Sequence, residues 1–596
     1  MTKRSANALM RNVGIAVLTG TLVFAQVPVA AIAEEAGGGQ VSQAQDGDTP
    51  PEKPSGEEGA DDQPGEPPSG EAPGGQPGDG QGGMGAGQPG DGQGGMGAGQ
   101  PGGMGGADTM TFDYSGSYSG TVTADGESVT ADSATYEATE ADVNAALAQN
   151  GGALALTGVT LTKSGDDTNG DNCNFYGLNS ILLAVGEGSV ATIQDSALSA
   201  TSEGSNGIFA TDNATVLAKN VTISTAAGNS RGLDATYGGT ILAGNVTIST
   251  QGDHCADVAT DRGGGNISLE DGTISTAGSG SPLLYSTGDV EVKNVTGTST
   301  GSQIAGMEGL NTIFIEDSTL ESTITSKTAS DPVANGVIIY QSTSGDAEAS
   351  TGSTATFQAI NSTLKSAIES GSMFYLTNTS ADVVLKNTAL DFDSSKATLL
   401  YAAGNDSNSW GSAGSNGATV KFTGIQQELA GDVVADTISS IDLYLSDGTI
   451  WTGSARVEEN AAGSTSEAPI TVNVDDNSAW VVTGDSSVSN LNVDPDAKVV
   501  DADGKTVTIV AGGQTVVAGD SSYTITVTGS YSTSYDEASA GTVATDKIDR
   551  SAYDEAFGTD EETDSTAASG AASTSDGAGE GWFAAIIAWF KGLLGL

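Results

Sequence analysis

KNVTIST (219–225), GNVTIST (244–250), EDGTIST (270–276) and EDSTLES (316–322) are four copies of one short unit. QDSALSA (194–200), INSTLKS (360–366) and KNTALDF (386–392) are looser copies. The Asn or Asp in each unit marks a column: Asp195, Asn220, Asn245, Asp271, Asn294, Asp317, Asn361 and Asn387. Successive members are 25, 25, 26, 23, 23, 44 and 26 residues apart. A period in this range marks stacked units that each touch their neighbours, not a single globular core.

With the Asn/Asp position as zero, position −4 holds Val216, Ile241, Ile267, Val290, Ile313, Phe357 and Val383. Position −2 holds Ala218, Ala243, Leu269, Val292, Ile315, Ala359 and Leu385, and position +3 holds mostly Leu and Ile. The residues between are mostly Thr, Ser, Lys, Glu or small, and this alternation is a strand signal. The phase slips from even to odd at the Asn, so the chain turns there. Asn tolerates the left-handed conformation that such a corner needs. Stacked corner amides can bond to one another along the column. The unit is therefore a coil of two or three short strands, and successive coils pair as parallel strands about 4.8 Å apart.

The amide ladder and the coil length resemble the right-handed parallel β-helix (pectin-lyase-like) superfamily, over roughly residues 150–528, and within it adhesin-like bacterial surface proteins. The resemblance implies an all-β, right-handed parallel β-helix solenoid. It is nearly silent on chemistry, because the fold hosts many functions. Asn220, Asn245, Asn294 and Asn361 also lie in N-x-S/T sequons; these read as by-products of the ladder rather than as glycan sites.

The 596 residues carry 20 Lys+Arg against 76 Asp+Glu, a net charge of −56. Such a polyanion repels nucleic acid and anionic headgroups and can attract divalent cations. Two cysteines in this length give no disulfide framework.

Lys3, Arg4 and Arg11, the apolar run Val13 to Val29 and Ala31-Ile32-Ala33 read as a secretory signal peptide over 1–33. Residues 34–107, rich in Gly, Pro, Glu, Asp and Gln, form a disordered linker. In 108–150, an N-terminal cap, Thr139-Glu140-Ala141-Asp142 has the spacing of a capping box and predicts a helix through Gln149 over the first coil. Regular coils fill 151–417, with an insertion at 164–175 and longer loops at 325–335 and 342–355. Weaker coils, or a separate small β-domain, occupy 418–528. Residues 529–580 are acidic and Ser/Thr-rich, the composition of a disordered tail. Residues 581–596, GWFAAIIAWFKGLLGL, form a short apolar helix. It would reach only about 22 Å, short of a ~30 Å hydrocarbon core. It would lie in a membrane or envelope interface, or fold back as a cap.

The strand before the ladder carries the candidate chemistry. Aligning SNGIFATD (205–212), SRGLDATY (230–237), HCADVATD (254–261), SPLLYSTG (281–288) and SQIAGMEG (302–309) pairs Arg231 with Cys255. The same alignment puts Asp234, Val258 and Tyr285 in one outward column, and Tyr237 with Asp261 in another. Glu308 lies one coil on and Arg262 close by. Arg231, Asp234, Tyr237, Asp261, Arg262, Tyr285 and Glu308 are the candidate ligand-binding set, because fork donors, acceptors and rings on a rigid sheet suit sugar hydroxyls. The alternatives are that the two arginines simply neutralise neighbouring aspartates, or that the patch is catalytic. His254, the single His, reads as a surface-loop residue; it has no visible nucleophile and orienter for a triad. Asp166, Asp167, Asn169 and Asp171 have part of the spacing of a calcium loop but lack its Gly and closing Glu. They are either a calcium site, the one cofactor in prospect, or a solvated loop. Cys173 and Cys255 pair only if the insertion folds back.

The functional expectation is a secreted or cell-surface, adhesin-like solenoid that binds carbohydrate or a surface partner without catalysis. The alternatives are a lyase or hydrolase of acidic polysaccharides and a ligand-free envelope spacer.

Overall fold

The computed structural model describes residues 110–342, 347, 354–406, 410–463, 466 and 468–558. The expected signal peptide, linker and apolar helix at 581–596, with the end of the acidic tail, lie outside the described residues.

The chain winds into a β-solenoid. One face is a 13-stranded sheet that takes one strand from each coil, from Gly120–Asp125 to Ala455–Glu458. Every neighbouring pair along it is parallel, as in Ile208–Thr211, Leu233–Ala235 and Val258–Thr260. The second face holds the repeated unit. Its strands Thr215–Thr225, Thr240–Thr250, Asn266–Thr276 and Asp289–Ser299 pair in parallel. All bend at the ladder, where Asp195, Asn220, Asn245, Asp271, Asn294, Asp317, Asn361 and Asn387 have φ between 47° and 57°. Positions −4, −2 and +3 line the lumen: Val216, Ala218, Ile223, Ile241, Ala243 and Ile248 belong to one continuous buried cluster. Burying each aliphatic removes apolar surface from water, roughly 1.5–3 kcal/mol gross per side chain.

The coils continue through the weaker sequence. Thr419–Ile425 pairs with both Ser380–Lys386 and Ser440–Ser446, and the same sheet runs on to Asn490–Val493 and Tyr531–Ser532. A third face, Glu428–Ala430, Ile450–Gly453, Ala479–Val482 and Lys498–Asp501, joins here. The buried Trp451 and Trp480 stack on it at 4.7 Å, each indole N–H donating to a glycine carbonyl. The end is closed by Gln514–Val517, which pairs antiparallel to Thr508–Ala511.

Three expectations are corrected. The helix over 139–149 is absent: Asn144–Gln149 is a strand between Gly120–Asp125 and Leu182–Val185. Asp142 sits at φ 57°, receives the Thr168 N–H, and gives its own N–H to the Asn179 side chain. The run AALA is buried on both sides, and a short apolar run of that kind fits a doubly covered strand as well as a helix.

The second correction is to the tail, which is ordered to Phe557. From Tyr535 it lies as a strap along one outward column of the second face, three residues before the ladder. The Tyr535 hydroxyl bonds Ser446, Gly541 N–H bonds Thr423, and Ala544 N–H bonds Gln358. Ile548 N–H then bonds Glu291, and the Arg550 guanidinium bonds Ser268 and the Ala243 carbonyl. The helix Ser551–Phe557 finally sets Tyr553 on Leu217 and Leu242.

The third is a one-residue slip in the coil at 254–262. The pairing is Leu233 with Val258, Asp234 with Ala259 and Ala235 with Thr260. Tyr237 N–H bonds the Arg262 carbonyl. The 25-residue step set at the Asn220/Asn245 corner carries through the turn, so Val258 faces the lumen and Asp234 stands outward beside Phe209 and Ala259.

Candidate functional site

The insertion builds the site. Asn169 caps a seven-residue helix, Gly170–Tyr176, by accepting the Asn172 N–H. Gly177 ends it at φ 74°, where an added Cβ would strike Leu183 and Phe209 at 2.6 Å. The helix thus lies down on the outer side of the 13-stranded sheet. The Phe175 carbonyl accepts the Thr236 hydroxyl, and the Cys173 carbonyl accepts the Asn206 amide.

Beneath it, the expected exposed cation is buried. Arg231 donates to Asp261 Oδ2 at 2.8 Å and to Asn174 Oδ1 at 2.8 Å, with Asp234 at 3.7 Å. The side chains of Arg231 and Asp234 are 11% and 0% exposed. Burial alone would lower the Arg231 pKa, but Asp234 and Asp261 outweigh it and hold the guanidinium charged. Burial pushes the Asp234 carboxyl well up, opposed in part by Arg231. Arg262 lies over the Phe175 ring at 3.7 Å. Tyr237 stacks on Tyr176 at 5.6 Å and meets Phe112 edge-on. Tyr285 donates to Glu308 at 2.9 Å, and Ser342 also bonds that carboxylate. The structure therefore brings together Arg231, Asp234, Asp261 and Arg262, with Tyr237 at one side and the Tyr285–Glu308 pair at the other. It places the set largely under cover, because the inserted helix and the segment around Phe112 occupy the sheet.

What remains open is a groove of about 310 Å³ beside the helix. Arg231, Asp261, Tyr285 and Gln303 line its floor, and Asn174 and Phe175 contribute the helix side. His254 and Asn229 stand at the turns, while Asp331, Tyr340 and Trp410 come from later loops and strands. Trp410 stacks on Tyr340 at 4.1 Å. Sequence reasoning missed Asn174, Phe175, Asp331, Tyr340 and Trp410. Most arrive on segments outside the repeat, which the column alignment could not register; their signal was the insertions themselves.

The calcium candidates are used locally. Asp166 accepts the Glu203 N–H and Asn169 is the helix cap. Burial raises the Asp167 carboxyl, with Glu203 and Asp142 adding to it. No cluster of three or more His, Cys, Asp and Glu poised for a metal occurs among the described residues. Cys173 and Cys255 are both free and buried. Burial raises both thiols, Cys255 to about 11, so neither is a ready nucleophile. No family model, no curated protein and no solved structure matches this chain.

Proposed function

We propose that this chain is a secreted, non-catalytic surface protein of the right-handed, pectin-lyase-like β-helix kind, which binds glycan on a surface partner through the groove beside Gly170–Tyr176. The observation that carries this reading is the groove itself: a concave site on a rigid parallel sheet, walled by insertions that interrupt the repeat. Amide, hydroxyl and aromatic groups converge there, as in small-molecule sites generally. Export and exposure at a surface rest on the signal-like N-terminus, and an envelope contact through 581–596 on its apolar pattern.

A proton-abstracting role for Arg231 is disfavoured. Its guanidinium is committed to Asp261 and Asn174, and its carboxylate neighbours keep it protonated. The test is a glycan array probed with the full chain and with Gly306→Leu. A Cβ at Gly306 makes only ordinary contacts, the nearest 3.5 Å from Tyr285, so the variant fills the groove without disturbing the strand. A subset of glycans binds the parent, and the variant loses at least tenfold in affinity. An array negative throughout overturns the reading. Release of unsaturated sugars from acidic polysaccharide would replace it with catalysis.

A further inference from the structure

Resting on that reading, we propose that the groove takes an amine-bearing sugar, a hexosamine with a free ammonium group, and that Asp331 is its counter-ion.

The charges in the groove point this way. An acidic sugar needs an uncompensated cation. Arg231 is already spent on Asp261 and Asn174, and Asp261 also receives the Arg262 N–H at 2.9 Å. Asp331 is the opposite case. It is buried, its carboxylate accepts one hydrogen bond, from the Asn335 amide at 2.8 Å, and no ion pair reaches it among the described residues. Burial pushes it up to about 6, with Lys327 acting only to lower it from beyond ion-pair range. A buried carboxylate without a cation is costly, and an ammonium group brought by a ligand removes that cost.

The rings agree. Tyr285, Tyr340 and Trp410 share the groove with Asp331. Aromatic faces attract organic cations by about 0.5–2 kcal/mol each, most strongly when desolvated. The helix side of the groove already holds one such contact, Arg262 over Phe175. A sugar fits better than a lysine side chain because Asn229, whose Nδ2 donates to Glu203, and Gln303, whose Oε1 accepts from Ser302, still have an amide oxygen and an amide N–H for sugar hydroxyls, which a bare alkyl chain cannot use. The volume sits at the lower end of ligand sites, enough for one or two rings.

The test is calorimetric titration of the full chain at 0.15 M salt with glucosamine tetramer, N-acetylglucosamine tetramer, oligogalacturonate and tetralysine. Glucosamine tetramer binds at least tenfold more tightly than the other three. Asp331→Asn keeps the side-chain shape and removes one of 76 acidic residues, so the net charge of −56 shifts by a single unit; it costs tenfold or more for the amine alone. Gly306→Leu abolishes binding, and thermal melts confirm that both variants are folded. Glucosamine binding that survives both variants is attraction to a polyanion, and overturns the inference. Equal affinity for the acetylated tetramer, blocked by Gly306→Leu, overturns the ammonium assignment and leaves the glycan reading standing. Tetralysine binding blocked by Gly306→Leu, without glucosamine binding, overturns the sugar assignment. Silence from every sugar here and on the array removes both.

Discussion

At each corner of the solenoid one side chain holds a left-handed backbone and bonds its neighbour. The bonds have a direction. Asn220 donates to Asp195 at 2.8 Å, Asn245 to Asn220 at 2.7 Å, and Asn387 to Asn361 at 2.9 Å. Asn294 donates to Asp271, and Asn361 to Asp317 at 3.2 Å. Each amide points back to the earlier coil, so an Asp can begin a run but cannot continue one: a carboxylate accepts and has nothing to donate. Asp257 shows the opposite economy at the same scale. Its Cα is in the register that holds Gly232 on one side, it is fully buried, and its carboxylate makes no hydrogen bond of ordinary length and angle, although the Thr250 hydroxyl and the Ser275 N–H lie near enough to favour its charge in part. Burial raises its pKa well above the usual carboxylate value. Because the folded pKa lies above the unfolded one, the native state binds the extra proton, and stability falls as pH rises from about 4 towards the folded pKa. Asp257→Asn should raise the thermal midpoint at pH 7, leave it unchanged at pH 3, and flatten the stability curve between. Melts of parent and variant across that range check it. Equal midpoints at pH 7 would show that the carboxylate is solvated after all.

At the scale of elements, neighbours override local preference. The capping-box spacing at 139–142 lost to parallel pairing on both sides of Asn144–Gln149. The acidic tail was ordered by a surface that already existed. In the pairing register Leu217, Leu242, Ser268, Glu291, Phe314, Gln358, Val384, Thr423 and Tyr444 form one outward column, and all are buried. The column mixes Leu, Phe, Val and Tyr with Ser, Glu, Gln and Thr, so its apolar members need a cover and its polar members need hydrogen-bond partners. The strap adds charge to apolar contact: Lys547 lies over Phe314 at 4.4 Å, and Arg550 reaches Glu270 at 3.5 Å. Burial, opposed by the Ile548 N–H, lifts Glu291 to about 6. Tyr553→Ala removes the ring from Leu217 and Leu242, a loss of roughly 2 kcal/mol. It should speed tryptic cleavage at Lys547 and Arg550 about thirtyfold, while the global melting temperature stays within a degree or two. Mass spectrometry of a digestion time course reads this, and unchanged cleavage would mean the strap is held mainly elsewhere.

At the largest scale the described solenoid is close to one-dimensional: each coil meets the coil before and the coil after, and the antiparallel Gln514–Val517 ends the stack. Damage should therefore be local. Ile248 packs in the lumen at 1% exposure between Ile223 and Ile274. Ile248→Asp places an unpaired charge there, at a cost of about 4 kcal/mol. Hydrogen exchange should accelerate in strands Thr215–Thr225, Thr240–Thr250 and Asn266–Thr276, and stay slow around Phe357, Phe374 and Phe422, whose rings interlock edge-to-face. Uniform acceleration from end to end would instead indicate a single cooperative unit.

The periodic columns were readable because each coil repeats the same two requirements: an aliphatic side chain for the lumen, and an amide or carboxylate that accepts a left-handed corner. The sequence alone determined the stacked parallel coils, the lumen residues and the ladder, since local pattern and global packing ask for the same residues there. It also picked out the neighbourhood of Arg231, Asp234, Asp261 and Arg262. Only the tertiary structure decided that these residues are covered, because the cover is an aperiodic insertion whose position depends on what it packs against. The same holds for the strap, ordered by an outward column spread over more than 200 residues, and for the groove, whose Asp331, Tyr340 and Trp410 no spacing rule could place beside Tyr285.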